Sequence, residues 1–91
     1  MGTELNPVSH NFGLSVRYLR EDRGWSQEVL AEHADLNRSY IGEIERGLVT
    51  PSLATTEKIA RALGIRLSEL IEHAEYRTPH FRALTASFAA F

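Results

Sequence analysis

The sequence predicts an all-α fold, a single bundle of five helices, and three observations lead to this prediction. Apolar residues recur every three or four positions, as they do on one face of a helix. The two-residue alternation that is typical of strands is absent. Glycine followed by a large apolar residue closes successive periodic segments, which is typical of helix C-termini. A chain of 91 residues forms one domain at most.

The helix boundaries follow from start and stop signals along the chain. Each stop pairs a residue that tolerates the left-handed conformation with an apolar residue expected to fold back on the helix: Gly24 with Trp25, Asp35 with Leu36, Gly47 with Leu48, and Gly64 with Ile65. Three residues are candidate N-caps for the segments that follow: Ser26, Asn37 and Ser52. The predicted helices span residues 11–23, 27–34, 38–46, 53–63 and 67–73.

Three regions are expected along the chain. They are an N-terminal arm over residues 1–10, a folded domain over 11–74 and a C-terminal tail over 75–91. In the tail, Thr78 is a candidate N-cap and Pro79 suits the first position of a helix. Large apolar residues then recur at near-heptad spacing: Phe81, Leu84, Phe88 and Phe91. The pattern therefore allows an extra C-terminal helix.

Composition argues against several classes of function. The chain has no cysteine, which excludes disulfides, thiolate metal sites and cysteine nucleophiles. Its four histidines, His10, His33, His73 and His80, lack metal-ligand spacing, and we expect no metal, no cofactor and no enzymatic activity. No apolar run approaches the ~18 residues of a membrane span, and no secretion signal opens the chain, so we expect a cytoplasmic protein. A net charge of −2 disfavours a non-specific polyanion binder but permits one basic face.

Residues 27–46 fit a helix-turn-helix unit, in which two short helices cross steeply. Such a unit needs a small residue where the second helix packs on the first, and Ala31 is at that position. Its turn needs a residue that tolerates positive φ, and Asp35 is there. Ile41 and Ile44 are spaced to face the first helix and the core. Each feature is weak alone, but together they indicate the unit strongly.

The segment that carries these features resembles the phage-repressor/Cro-like (XRE-type) family of DNA-binding domains. The resemblance extends over about residues 12–71 and is carried by the stretch LREDRGWSQEVLAEHADLNRSYIGEIERGLVTPSLATTEKIARALGI. It implies a five-helix bundle of the lambda-repressor-like DNA-binding type, usually dimeric, with its third helix in the major groove. Two residues depart from the family pattern. Asp35 replaces the turn glycine, and Gly42 stands where serine is frequent, which costs ~1 kcal/mol of helix propensity.

The resemblance also implies roles for individual residues. Those expected to reach base edges and flanking phosphates are Asn37, Arg38, Ser39 and Glu43, and those expected to contact phosphate are Ser26, Gln27, Tyr40 and Arg46. Arg38 suits guanine O6 and N7, and Glu43 suits cytosine N4. Plainer alternatives remain open, namely a solvated surface for the third helix, packing for Tyr40 and helix-dipole complementation for Arg46. Gly42 is expected to face outward with Arg38, permitting close approach to DNA or to a neighbouring helix.

Two further assignments are implied by relatives of this type. Arg20 and Glu45 are expected to form an internal salt bridge, so Arg20 is excluded from the DNA contacts. A homodimer is expected because one copy reads only ~4–6 base pairs, too few to define a site in a genome. The expected interface comprises Leu67, Leu70 and Ile71 in the fifth helix, and Phe81, Leu84 and Phe88 in the tail. The tail's alternatives are folding back on its own bundle or binding another protein.

The sequence therefore favours a sequence-specific transcriptional regulator, a repressor or controller protein. Its expected partners are a palindromic site in double-stranded DNA, a second copy of the chain, and RNA polymerase or another protein, but no membrane. The alternative is a protein-bridging or partner-binding module of antitoxin or coactivator type that reuses the fold. Gln27 and Arg38 on the expected DNA face favour the regulator, and the apolar tail keeps the alternative open.

Overall fold

The computed structural model describes residues 7–76, and that part of the chain is built from helices joined by short turns. Its five helices are α1 Pro7–Asp22, α2 Gln27–Ala34, α3 Arg38–Glu45, α4 Leu53–Ala62 and α5 Leu67–Tyr76. No strand occurs within the described range. Helix α1 packs on α5 and α3, α2 packs on α3 and α4, and α4 packs on α5. The predicted all-α, five-helix fold is confirmed.

Helix α1 begins at Pro7, four residues before the predicted start, so residues 7–10 belong to the helix and not to an arm. Pro7 explains this earlier start, because the fixed φ of proline and its missing N–H suit the first position of a helix. The Ser9 hydroxyl is buried and hydrogen-bonded to the Thr50 hydroxyl at 2.9 Å. At the other end of the described range, α5 continues to Tyr76, beyond the predicted end at 73.

The three predicted N-caps are all in place. In each, a side-chain oxygen accepts a hydrogen bond from a backbone N–H in the first turn: Ser26 from Val29 at 3.1 Å, Asn37 from Ser39 at 2.8 Å, and Ser52 from Thr55 at 3.1 Å. These bonds satisfy N–H groups that have no partner inside the helix. The starts of α2, α3 and α4 therefore fall where the sequence placed them.

The predicted left-handed turns are also present, with positive φ at Asp35 and at the glycines of the other three turns. Asp35 has φ 57° and ψ 49°, and the next residue, Leu36, donates its N–H to the Ala31 carbonyl at 2.9 Å. Gly47 combines φ 73° with a close approach to α1, since a Cβ there would lie 3.0 Å from the Cα of His10. Leu48 departs from prediction, because its side chain is exposed and Val49 packs on the core instead.

The core is a single cluster between the helices, with every helix contributing to it. Its buried members are Phe12, Val16, Leu30, Ala31, Ile41, Ile44, Ile59, Ala60, Leu63, Leu70 and Ala74. Leu53, the first residue of α4, is 70% exposed, because the part of that helix that packs begins at Thr56. The core thus holds α3 by Ile41 and Ile44, and leaves the start of α3 at the surface.

The backbones of α1 and α3 touch at Gly13. A Cβ at this position would collide with the carbonyl oxygen of Ile44 and lie 2.7 Å from that of Glu45. We therefore expect Gly13→Ala to lower the free energy of unfolding by about 3 kcal/mol, the upper part of the range for overpacking, because backbone atoms cannot step aside.

The matched control is the glycine inside α3. Gly42→Ala adds the same methyl group against the end of a flexible side chain and should raise stability by about 0.5–1 kcal/mol through helix propensity. Urea denaturation of the two variants measures the contrast. Equal effects of the same sign would contradict the proposed contact between α1 and α3.

Candidate nucleic-acid interface

The two helices of the predicted helix-turn-helix unit are α2 and α3, and they pack directly on one another. Ala31 and Ala34 are buried on α2, where small side chains let the second helix approach closely. Ile41 and Ile44 are fully buried on α3. The opposite side of α3 is therefore left to polar residues, and its orientation is fixed by the core beneath it.

The start of α3 presents the residues expected to read bases. Arg38 and Ser39 are exposed, and within the described residues no hydrogen bond or ion pair holds the Arg38 guanidinium. The Asn37 carboxamide oxygen is used as the N-cap, which leaves its NH₂ group free to donate. Glu43, one turn further along, is half-buried. Of these four residues, Arg38 has the longest side chain, and within residues 7–76 no hydrogen bond or ion pair holds its guanidinium.

A buried network joins α1, α2 and α3 behind this surface. Arg20 donates from Nε to Oε2 of Glu45 at 2.7 Å and from Nη2 to Oε1 at 2.9 Å, a bidentate pair. The side chains of Arg20 and Glu45 are 10% and 3% exposed. The hydrogen bond to Glu45 raises the pKa of Arg20, so the guanidinium stays charged. Arg20 also donates to the carbonyl of Trp25 at 2.8 Å, tying the turn before α2 to the same group.

Gln27 is the third member of this network. Its Nε2 donates to Oε1 of Glu45 at 3.0 Å, which connects the first residue of α2 to the last residue of α3. A carboxamide NH₂ carries two hydrogens, so the second remains available for a phosphate oxygen. Gln27 is the first residue of α2, where the free backbone N–H groups of the helix N-terminus also point. A helix N-terminus favours a bound anion. The network therefore holds the Gln27 carboxamide in a fixed place.

Gly42 does not face outward as expected. It is buried, and the atoms nearest to its missing side chain belong to Arg46 and Gln27. The reason is the absence of a Cβ, which lets these two longer side chains close over the helix. The outward surface of α3 is therefore shorter than predicted, running from Arg38 and Ser39 to the edge of Glu43.

The remaining residues expected to contact phosphate differ in their engagement. Ser26 is exposed, but its hydroxyl oxygen is occupied as the N-cap of α2. Tyr40 is half-buried and packs on the core, in agreement with the packing alternative, although its hydroxyl position is not fixed by that contact. Arg46 is exposed just after α3. Ser26 precedes Gln27 in the chain, and Arg46 and Gln27 both reach the surface of Gly42.

The predicted interface residues of α5 are not equivalent. Leu70 is 0% exposed in the core of one chain, so its assignment to a dimer interface is wrong. The side chain fills space between the helices and has no surface left for a second copy. Leu67 is half-buried and Ile71 is 36% exposed. Phe81, Leu84 and Phe88 lie outside the described residues.

Two residues, Arg23 and His73, make polar contacts that were not foreseen from the sequence. Arg23 donates to the carbonyls of Leu19 and Leu63 and so ties the end of α1 to the end of α4. His73 Nδ1 lies 2.7 Å from the buried hydroxyl of Ser15, joining α5 to α1. The spacing of charged residues along one helix could not reveal the contacts of Arg23 with Leu63 and of His73 with Ser15, because each of them bridges elements far apart in the chain.

Residues 7–76 contain neither a membrane-spanning helix nor a metal-binding cluster. No helix in this range has the length and apolar character needed to cross a membrane. No group of three or more histidine or acidic side chains in the same range is arranged to hold a metal ion.

Comparison with known proteins supports the assignment of the α2–α3 unit. The helix-turn-helix family model matches residues 16–70. The immunity repressor protein of Bacillus phage phi105 is 40% identical over an alignment of 74 residues that covers 72% of this chain and 51% of the repressor. The control protein C.BamHI of Bacillus amyloliquefaciens is 45% identical over 68 residues, covering 74% of this chain and 84% of its own. This chain thus spans about half of the phage repressor and most of the control protein.

A solved structure shows the same architecture. The restriction-modification controller protein C.AhdI of Aeromonas hydrophila superposes with a TM-score of 0.65 at 46% identity, over 67% of this chain and 92% of its own. The matched family segment contains the whole α2–α3 unit and α4, together with parts of α1 and α5. The chain therefore belongs to the helix-turn-helix family, as a Cro/C1-type (XRE-type) DNA-binding transcriptional regulator and not as an enzyme.

Proposed function

We propose that this protein is a sequence-specific regulator of the repressor or controller kind, which reads the major groove with α3 as a homodimer. The observation that carries the proposal is the exposed, unengaged Arg38 at the start of a helix held rigidly by the core. In this docking geometry the N-terminal residues of α3 contact base edges, and α2 crosses the DNA backbone. Arg38 then binds guanine through O6 and N7.

Positioning on the backbone is the task of a separate group of residues. Gln27, held by Glu45, donates its free N–H to a phosphate at the α2 N-terminus. The hydroxyls of Ser26 and Tyr40 and the guanidinium of Arg46 contact flanking phosphates. Asn37 and Ser39 add hydrogen bonds at the edge of the groove. Glu43 faces a cytosine N4 donor, which offsets the repulsion between its carboxylate and the phosphates.

A second copy of the chain supplies the specificity that one copy lacks. Two copies related by a two-fold axis read two half-sites about 34 Å apart, one turn of DNA. We place the contact on α5, where Ile71 is 36% exposed. Ile71 also lines a cavity of about 120 Å³ whose other walls include Val8, Phe12 and Pro51. An exposed apolar side chain beside an apolar cavity is suited to self-complementary packing.

Replacing Ile71 by lysine is expected to weaken self-association at least about tenfold, because a central apolar contact is lost and a charge enters the interface. The matched control is Glu32→Lys, which adds the same side chain to an exposed position at the end of α2. Sedimentation velocity over a concentration series measures both variants, and circular dichroism checks that both are folded. A wild-type chain that is monomeric at tens of micromolar, or an Ile71→Lys variant as dimeric as the control, would overturn this interface.

The site of action follows from the proposed function. The phage repressor and the two controller proteins are named as regulators, and by analogy this chain acts on promoters in a bacterial cytoplasm, by blocking or recruiting RNA polymerase.

Hydroxyl-radical footprinting on bound DNA tests the docking. Two protected half-sites on one face of the duplex, their centres about 34 Å apart, are expected. A single continuous protected stretch without two-fold symmetry would contradict it.

A further inference from the structure

Gly42 is buried although it lies away from the core residues of α3. Arg46 follows it by four residues, so the two lie on the same side of the helix, one turn apart. The three atoms nearest to the missing side chain come from the Arg46 guanidinium and the Gln27 carboxamide. Gly42 is therefore covered by two of the residues assigned to phosphate.

The distances show that the two covering side chains are not equally close. A Cβ at Gly42 would lie 3.2 Å from Nη1 of Arg46 and 3.7 Å from Oε1 of Gln27. The first distance is tighter than ordinary van der Waals contact, and the second is ordinary. A methyl group would therefore push the guanidinium away and leave Gln27 where Glu45 holds it. Gly42 sets the position of Arg46 selectively.

We propose that Gly42 is a positioning residue for DNA binding, which lets Arg46 lie across α3 beside Gln27 so that both donate to the same stretch of phosphate backbone. The charge on Arg46 and the amide N–H of Gln27 are complementary to phosphate oxygens. Gln27 cannot retreat, since its other N–H is bonded to Glu45. Because Gly42 has no side chain, Gln27 from α2 and Arg46 from the end of α3 can lie side by side and form one site.

This inference rests on the proposed DNA-binding function, and a cycle of Gly42→Ala, Arg46→Ala and the double variant separates the two. Arg46→Ala should weaken binding to any duplex about tenfold. It should also make the slope of log K against log salt less negative by about 0.9 for each bound copy, as expected for one lost phosphate contact. Gly42→Ala should weaken binding about threefold, make the same slope less negative, and raise the melting temperature through its helix propensity. The double variant should bind no worse than Arg46→Ala.

The outcomes distinguish the possible failures. Weaker binding together with a higher melting temperature excludes unfolding as the cause and supports the proposal. A loss from Gly42→Ala that persists in the Arg46→Ala background would mean that the methyl group meets DNA directly, which overturns it. Unchanged affinity of Gly42→Ala would overturn it as well. A wild-type chain whose binding to duplex DNA shows no salt dependence would overturn the proposed function itself.

Discussion

Arg20→Met is expected to lower the free energy of unfolding by about 3–5 kcal/mol, the cost of leaving a buried charge without its partner. In the wild type, Glu45 accepts two hydrogen bonds from Arg20 and its side chain is 3% exposed. After the substitution the carboxylate keeps only the neutral amide of Gln27. Its charge then has neither water nor a cation to compensate it.

The double variant Arg20→Met/Glu45→Leu is the decisive comparison. This variant removes both charges together. Most of the lost free energy of unfolding should therefore be recovered, because apolar replacements of similar volume are often neutral for a buried pair. Urea denaturation of wild type, both single variants and the double variant gives the coupling energy. Additive losses would show that the two side chains do not depend on one another. The exposed pair Arg17–Glu21, with side chains 60% and 54% exposed, is the control and should show little coupling.

The dependence of this pair on pH follows from the raised pKa of Arg20. A cation whose pKa is higher in the folded state stabilises the protein at every pH below its ordinary pKa, and the effect is lost only as pH rises through the folded value. Titration of the Arg20 guanidinium therefore adds no slope to stability between neutral and moderately alkaline pH.

Arg38→Ala is expected to reduce affinity for the preferred site by about 2–6 kcal/mol in a homodimer, from about 1–3 kcal/mol for each bidentate guanine contact. Affinity for random DNA should fall far less, because phosphate contacts supply most of the non-specific binding. Specificity should relax at one base pair in each half-site. Anisotropy titrations with the preferred duplex and with a scrambled duplex measure both quantities.

Two controls separate base reading from charge. Arg61→Ala removes a charge of the same kind from α4, where the side chain is 79% exposed and pairs with Glu57, and should leave specificity unchanged. Gln27→Ala should weaken binding to both duplexes by a similar factor, as a phosphate contact does. If Arg38→Ala lowered specific and random binding equally, Arg38 would be a phosphate contact and the base-reading assignment would be wrong.

Much of the fold could be predicted because its signals are local. The N-caps and the left-handed turn at Asp35 depend on residues a few positions apart, and the structure contains them as expected. The pairing of Arg20 with Glu45, 25 positions apart, was available only from the resemblance to a family. Local signals also explain the error at the start of α1, since the prediction followed the apolar stripe and not the helix-starting proline at position 7.

What the sequence could not supply are contacts between distant segments. Gly13 is one residue among several in α1 until α3 is placed against it, and only then is its lack of a side chain required. Gly42 was expected to face outward because a helical projection of α3 alone contains neither α2 nor the folded-back Arg46. Leu70 was assigned to the dimer interface because the number of apolar residues in α5 does not show which of them are buried in the core.

Selection of bound sites from a pool of randomised duplex DNA tests whether α3 reads base sequence through Arg38 in a two-fold symmetric complex. In that complex α3 is fixed by the core and by the Arg20–Glu45–Gln27 network. The full chain should enrich a palindrome whose half-sites are centred about 34 Å apart, roughly one turn of DNA, and Arg38→Ala should lose the guanine preference in each half. A pool that remains random after selection, from a chain that still binds DNA, would contradict sequence-specific reading by this helix.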